Sequence, residues 1–119
     1  MEYLSTEKLI KYFKTSIQEV NKTARHKISN EFSNLIIINS FVPFLWWYGN
    51  FFQKSNYQEL AFDILTQLKA EKNGLLTNWK NVGVEAASAY ESQALIELYN
   101  EFCFKNKCLS CAIGISLLK

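Results

Sequence analysis

The chain has 119 residues, of which 49% are hydrophobic and 20% are charged, and its formal net charge is +2. This length suits one domain with a single core, and the hydrophobic fraction excludes a disordered tail, since burial can offset chain entropy. The small net charge disfavours a dedicated nucleic-acid module, and four glycines with one proline disfavour a turn-rich sandwich or barrel, so helices are expected.

The N-terminal segment predicts an amphipathic helix. Ser5 can cap a helix that runs to about Asn21. One stripe at helical spacing carries its apolar residues, which are Leu9, Ile10, Phe13, Ile17 and Val20. The polar residues 22–30 are interpreted as the connection to the next helix.

The central segment predicts a second helix that begins near Glu31 and is kinked at Pro43. Proline lacks an amide hydrogen and clashes with the preceding turn, so the helix should kink or restart near residues 39–40. The pair Gly49-Asn50 is expected to end it. The aliphatic run 35–38 leaves a buried strand open as an alternative, because short apolar runs do not separate the two.

The C-terminal half adds further helices. One is predicted at residues 57–72 and is ended by Asn73-Gly74. A short helix at 75–82 should bury Leu76 and Trp79 before Gly83 breaks it. A further helix begins at Ser88, and the tail at 108–118 is expected to form the last one. Ser88 and Glu91 have the spacing of a capping box. The predicted fold is therefore all-α, a single compact bundle of five to six helices over residues 1–119.

Three stretches of the chain carry a family likeness. They are Asn34 to Asn39 leading into Val42-Pro43, then Ala70 to Asn73, then Ser92 to Ile96 with the cysteine-bearing end. In order and spacing they resemble the C-terminal region of a bacterial protein family of unknown function, domain of unknown function family 2851. The resemblance covers nearly the whole chain from about residue 27. It implies a shared fold without a known reaction, and it suggests the C-terminal piece of a larger protein.

The sharpest chemical signal is the cysteine pattern C-x4-C-x2-C at Cys103, Cys108 and Cys111. A two-residue gap lets neighbouring thiolates bind one metal, so zinc or an iron–sulfur cluster is the candidate cofactor. Such sites normally need four ligands, and His26 is a weak candidate for the fourth. The leading interpretation is structural, with the three thiols packed as small core residues. A redox pair formed by Cys108 and Cys111 is a weaker alternative.

Carboxylates recur in two helical pairs, Glu59 with Asp63 and Glu97 with Glu101. This spacing places both groups of a pair on one helix face, which acid–base chemistry would require. No histidine stands at a motif distance, and Lys105 follows Glu101 by one turn, so solvated faces are favoured. Nucleophile elbows, phosphate-binding glycine loops and metalloprotease motifs are absent from the sequence. An enzyme is therefore disfavoured.

Aromatic residues crowd into the segment around Pro43. The candidate interaction residues are Phe44, Trp46, Trp47, Phe51 and Phe52. Burial inside the domain and contact with a partner are both open, and the partner would be a second copy, giving a homodimer, or the missing N-terminal domain of longer relatives. Nucleic-acid stacking is disfavoured, because no lysine or arginine lies between Phe41 and Gln53.

The sequence therefore favours a non-catalytic helical accessory or protein-interaction domain, with a metal-stabilised module as the alternative. A cytoplasmic location is expected, because the N-terminus has no secretory pattern and the cysteine number is odd. No membrane partner is expected, because the most apolar window, 35–48, is shorter than the roughly 20 residues that span a bilayer.

Overall fold

The chain folds into helices joined by short connections. The computed structural model describes residues 5–20 and 28–118. Its α-helices are α1 (Thr6–Val20), α2 (Asn30–Ile36), α3 (Val42–Phe51), α4 (Ser55–Gln67), α5 (Gly74–Asn81), α6 (Ala89–Leu98) and α7 (Ala112–Leu117). A π segment (Ile37–Phe41) joins α2 to α3, a second (Tyr99–Cys103) follows α6, and a 3-10 turn (Cys108–Ser110) precedes α7. The all-α prediction is confirmed. The connection predicted at 22–30 lies mostly outside the described residues.

Helix α2, the first π segment and α3 follow one another without leaving helical backbone, and together they are called the α2–α3 rod. There the backbone N–H of Val42 donates to the carbonyl of Ile37, five residues back. Pro43, which has no N–H to donate, is the second residue of α3. The Nδ2 of Asn39 donates to the carbonyl of Leu35 at 2.9 Å. The interruption therefore lies where Pro43 predicts it, as a widened turn, and the alternative of a buried strand is wrong.

The turn between α3 and α4 differs from the prediction. Gly49-Asn50, expected to end the helix, lies inside α3, where Gly49 is buried. A Cβ atom on Gly49 would lie 2.9 Å from the carbonyl oxygen of Lys54 and 3.0 Å from Cγ of Gln58, so glycine permits close approach here. The left-handed residue is Gln53, with φ of 55°. The N–H of Lys54 donates to the carbonyl of Gly49 at 2.8 Å, which completes a Schellman motif.

Gln53→Gly is expected to stabilise the protein by about 1 kcal/mol relative to Gln53→Ala, because residues with a Cβ pay about 1–2 kcal/mol for a left-handed conformation. The alanine variant is the matched reference, since both substitutions remove the Nε2 donation of Gln53 to the carbonyl of Asn50. Urea unfolding of the two variants measures the difference. Equal unfolding midpoints would contradict this prediction.

Helix α4 ends at Gln67 and not at Lys72. Leu68 leaves the helix with extended backbone angles, φ −75° and ψ 144°, and its side chain is buried in the core. Its carbonyl accepts a hydrogen bond from the N–H of Ala89 on α6 at 2.9 Å. Asn73 then caps the start of α5, because its Oδ1 accepts from the N–H of Leu76 at 2.9 Å. Asn73-Gly74 therefore begins a helix, contrary to the prediction that it ends one.

Local signals elsewhere are confirmed. The Oγ of Ser88 accepts from the N–H of Glu91, as a capping box requires. The returning bond is shifted by one residue, because the Glu91 carboxylate accepts from the N–H of Ala87 at 2.6 Å and not from that of Ser88. Leu76 is buried and Trp79 is half-buried on α5, and Gly83 follows that helix with a positive φ of 91°.

The core lies where α1, the α2–α3 rod, α4 and α6 meet. Its buried members are Ile37, Ile38, Val42, Ala61, Ile64, Leu68 and Ala89. The apolar face of α1 packs against them through Leu9, Ile10, Phe13 and Ile17, while the side chain of Val20 lies outside the described residues. The molecule measures 53 × 40 × 21 Å, so its shortest dimension is about two helix diameters. So thin a fold leaves many large apolar side chains on its surface.

Candidate functional site

The aromatic residues of α3 lie on the surface. Their exposed fractions are 55% for Phe44, 54% for Trp46, 54% for Trp47, 65% for Phe51 and 49% for Phe52. The buried side of α3 is occupied by Val42 and by Gly49, which lies against the first turn of α4. Burial of these five rings inside the domain, one of the two predictions, is therefore wrong.

Four of the five rings form a continuous surface, here called the aromatic stripe: Phe44, Trp47, Phe51 and Phe52. The first three are spaced i, i+3 and i+7, which places them on one side of a helix. Ring centroids lie 6.1 Å apart for Phe44 and Trp47, 5.4 Å for Trp47 and Phe51, and 5.0 Å for Phe51 and Phe52. Such distances are typical of interacting aromatic pairs. The rings therefore pack against one another and are exposed within the part of the chain that the structure describes.

Trp46 does not belong to the stripe. At about 100° per residue it lies roughly 200° around α3 from Phe44, on another side of the helix. Two further rings adjoin the aromatic stripe. Tyr48 lies beside Phe52, with ring centroids 4.5 Å apart, and Tyr57 on α4 lies beside Tyr48, with ring centroids 4.9 Å apart. Tyr57 was not among the candidate interaction residues of the sequence, so its place beside the aromatic cluster was missed.

The stripe carries no charge. No Asp, Glu, Lys or Arg occurs between Glu31 and Lys54 in the sequence. The exposed rings therefore form an apolar surface patch without charged residues of its own. Among the described helices, none is both long enough and apolar enough to cross a membrane.

The three cysteines surround a small cavity near the C-terminus. Cys103 ends the second π segment, Cys108 begins the 3-10 turn and Cys111 caps α7. All three are free thiols, and they line one cavity of about 170 Å³ together with Trp79 and Phe102. Cys111 is 7% exposed, as core packing requires, but Cys103 and Cys108 are exposed, so packing as core residues is wrong for these two.

The three cysteines share a cavity, but the described side chains do not form a metal site. Within residues 5–20 and 28–118, no set of three His, Cys, Asp or Glu side chains has an arrangement that could hold a metal ion. His26, the candidate fourth ligand, lies outside the described residues.

Gly114 fixes the position of α7 beside the cysteines. A Cβ atom on Gly114 would lie 2.9 Å from the carbonyl carbon of Cys108, in the 3-10 turn. Real Cβ atoms do not approach backbone this closely, so glycine is required where the two segments cross. Cys111 directly precedes α7 and lines the cavity together with Gly114.

The paired carboxylates lie on the protein surface. Glu59, Asp63 and Glu97 are exposed. The Glu101 carboxylate accepts a hydrogen bond from Nζ of Lys105 at 2.6 Å, and this bond lowers the pKa of Glu101. The predicted pairing of Glu101 with Lys105 is confirmed, and the groups have the arrangement of a solvated helix face.

Comparison with known proteins yields one family. A family model described as a protein of unknown function (DUF2851) matches residues 6–74. No curated protein and no solved structure matches the chain. The match includes α1 to α4 and the aromatic stripe, begins earlier than the sequence resemblance suggested, and ends before the cysteines. Because it covers more than half of the 119 residues, the chain belongs to this family of proteins of unknown function, DUF2851.

Proposed function

We propose that this chain is a non-catalytic helical interaction domain that binds a second copy of itself through the aromatic stripe. The observation that carries the proposal is the exposure of Phe44, Trp47, Phe51 and Phe52 as one continuous surface. Aromatic residues are enriched in the centre of protein interfaces, and charged residues are depleted there. The stripe has both properties.

A second copy is the favoured partner because of the charge pattern. In a two-fold symmetric contact the same patch faces itself, so a charge near the symmetry axis would meet its own like-charged copy. The uncharged run from Phe32 to Gln53 avoids this repulsion. A larger N-terminal domain, of the kind that longer relatives would carry, is the other candidate partner. The free thiols fit the reducing environment of the cytoplasm, where we place the interaction.

Self-association is tested by light scattering during size-exclusion chromatography, from micromolar to millimolar concentration. We expect a dimer that dissociates on dilution, and a loss of affinity of about a hundredfold in Phe51→Glu, because buried aromatic hot spots contribute roughly 2–4 kcal/mol. The matched control is Phe104→Glu, since Phe104 is 72% exposed and lies outside the stripe.

Two results would contradict self-association. One is a wild-type mass of a single chain at every concentration. The other is an equal loss of affinity in the Phe51 and Phe104 variants, which would show that the stripe has no special part in the contact.

A metal-stabilised module is the second candidate, and the cavity shared by the three cysteines favours it. Cys103, Cys108 and Cys111 would supply three sulfur ligands to zinc or an iron–sulfur cluster, with a further ligand from elsewhere. The segment 104–110 would have to close around the metal. Elemental analysis of protein purified without oxygen tests this candidate, with Cys108→Ser as the variant. Stoichiometric metal that is lost in the variant supports it, and metal-free wild-type protein removes it.

A further inference from the structure

A groove of about 790 Å³ lies between α1, α2 and the connection that follows α4. This volume is within the range of small-molecule binding sites, roughly 300–1,000 Å³. The groove shares no lining residue with the aromatic stripe or with the cysteine cavity. All of its lining residues lie between positions 7 and 72, inside the region matched by the family model.

The dimensions of the groove limit its ligand. Its lining residues extend from position 7 to 15 on α1 and from 30 to 38 on the α2 side. Eight residue steps of helix rise about 12 Å. An extended peptide advances about 3.3 Å per residue, so this length accommodates about three or four residues.

Two half-buried charges of opposite sign distinguish the groove from an ordinary solvated surface. Seven charged side chains line it, and of these only Lys14 on α1 and Glu71 on the connection are half-buried while the others are exposed. Neither forms an ion pair with another described residue. The floor between the two walls includes the buried side chains of Ile38 and Leu68. A ligand that carries both charges would complement this lining.

Glu71 is held in place from outside the groove. Its carboxylate accepts a hydrogen bond from Nε2 of Gln93 at 2.9 Å, and its backbone N–H donates to Oγ of Ser92 at 3.0 Å. Desolvation raises the pKa of Glu71, and the weaker influence of the Gln93 hydrogen bond lowers it. A cationic group from a ligand would compensate the carboxylate that burial has desolvated.

We propose that this groove binds a short peptide with free termini, with its amino group at Glu71 and its carboxylate at Lys14. A peptide of about three residues is about 10 Å long when extended, which fits the roughly 12 Å over which α1 and α2 line the groove. The backbone between them would lie over the apolar floor. This site is additional to the aromatic stripe, and it does not depend on whether the chain forms dimers.

The test uses trialanine as the probe and calorimetry as the measurement. We expect trialanine to bind the full chain, and trialanine with an acetylated amino group and an amidated carboxyl group to bind at least tenfold more weakly. Glu71→Gln and Lys14→Met should each weaken binding of the free peptide at least tenfold. The control variants are Lys80→Met and Glu85→Gln, whose charges pair with each other at 2.6 Å outside the groove.

Comparison of the two peptides on the wild-type chain keeps the test decisive even where a variant folds poorly. No heat of binding from trialanine at millimolar concentration would overturn the proposal. Equal affinity for the free and the blocked peptide would overturn it too. Dimer formation is measured separately, so failure of the aromatic stripe as an interface leaves this result interpretable.

Discussion

Gly49→Ala is expected to lower the free energy of unfolding by about 1 kcal/mol, the difference between the cost of the clash and the helix-propensity gain. The added Cβ would lie 2.9 Å from the carbonyl oxygen of Lys54 and 3.1 Å from the backbone nitrogen of Gln58, and backbone atoms cannot move aside as side chains do. Overpacking of this kind costs about 1–3 kcal/mol. The gain from replacing glycine by alanine inside a helix is about 1 kcal/mol, so the clash exceeds it.

The matched control for this prediction is Gly74→Ala. Gly74 is also helical, but a Cβ placed there meets no atom within 4 Å. Chemical unfolding should therefore show a loss for the Gly49 variant and no loss for the Gly74 variant. If both variants were as stable as the wild type, α3 and α4 would not approach each other as closely as the structure places them.

Gly114→Ala is expected to release α7 from the 3-10 turn and to expose Cys111. The new Cβ would clash with the carbonyl group of Cys108, so the two segments must separate. A local cost of about 2 kcal/mol corresponds to about a thirtyfold faster modification of the buried thiol. Stopped-flow measurement with a thiol reagent should find two fast thiols and one slow thiol in the wild type, and three fast thiols in the variant.

The slow thiol is assigned with Cys111→Ser, which should remove the slow phase alone. The free energy of unfolding of the whole domain should change by less than the local free energy that protects Cys111. The reason is that apolar residues of α7 such as Ile113 and Leu117 are largely exposed already. A Gly114→Ala protein that kept one slow thiol would contradict the contact between Gly114 and Cys108.

Much of the fold could be predicted because the signals are local. The capping box at Ser88 depends on a neighbour three residues away, and the interruption before Pro43 depends on a missing N–H. The end of α4 depends instead on a tertiary hydrogen bond from Ala89 to the carbonyl of Leu68. A periodic pattern that continues to Leu68 cannot reveal that bond. The role of Gly49 likewise requires knowledge of α4.

The candidate sites likewise have features that the sequence predicts and features that depend on tertiary packing. The composition of the aromatic cluster was predicted, but the choice between burial and exposure was left open, because α3 carries large apolar residues all round and periodicity cannot select a buried side. The groove was missed because Lys14 and Glu71 belong to patterns of mixed charge that are typical of solvated faces. Their partial burial arises only where α1, α2 and the connection after α4 meet.

The widened turn at Ile37–Phe41 has a consequence for how this surface can evolve. A π turn holds one residue more than the corresponding α turn, so everything after it is rotated by about 100° relative to an uninterrupted helix. Deleting a single residue there, for example Ser40, would restore regular winding and leave the ring-bearing side of α3 in its present direction, because the lost residue and the closed turn compensate each other. The widened turn therefore allows the chain to differ by one residue at this point without changing which side of α3 faces solvent.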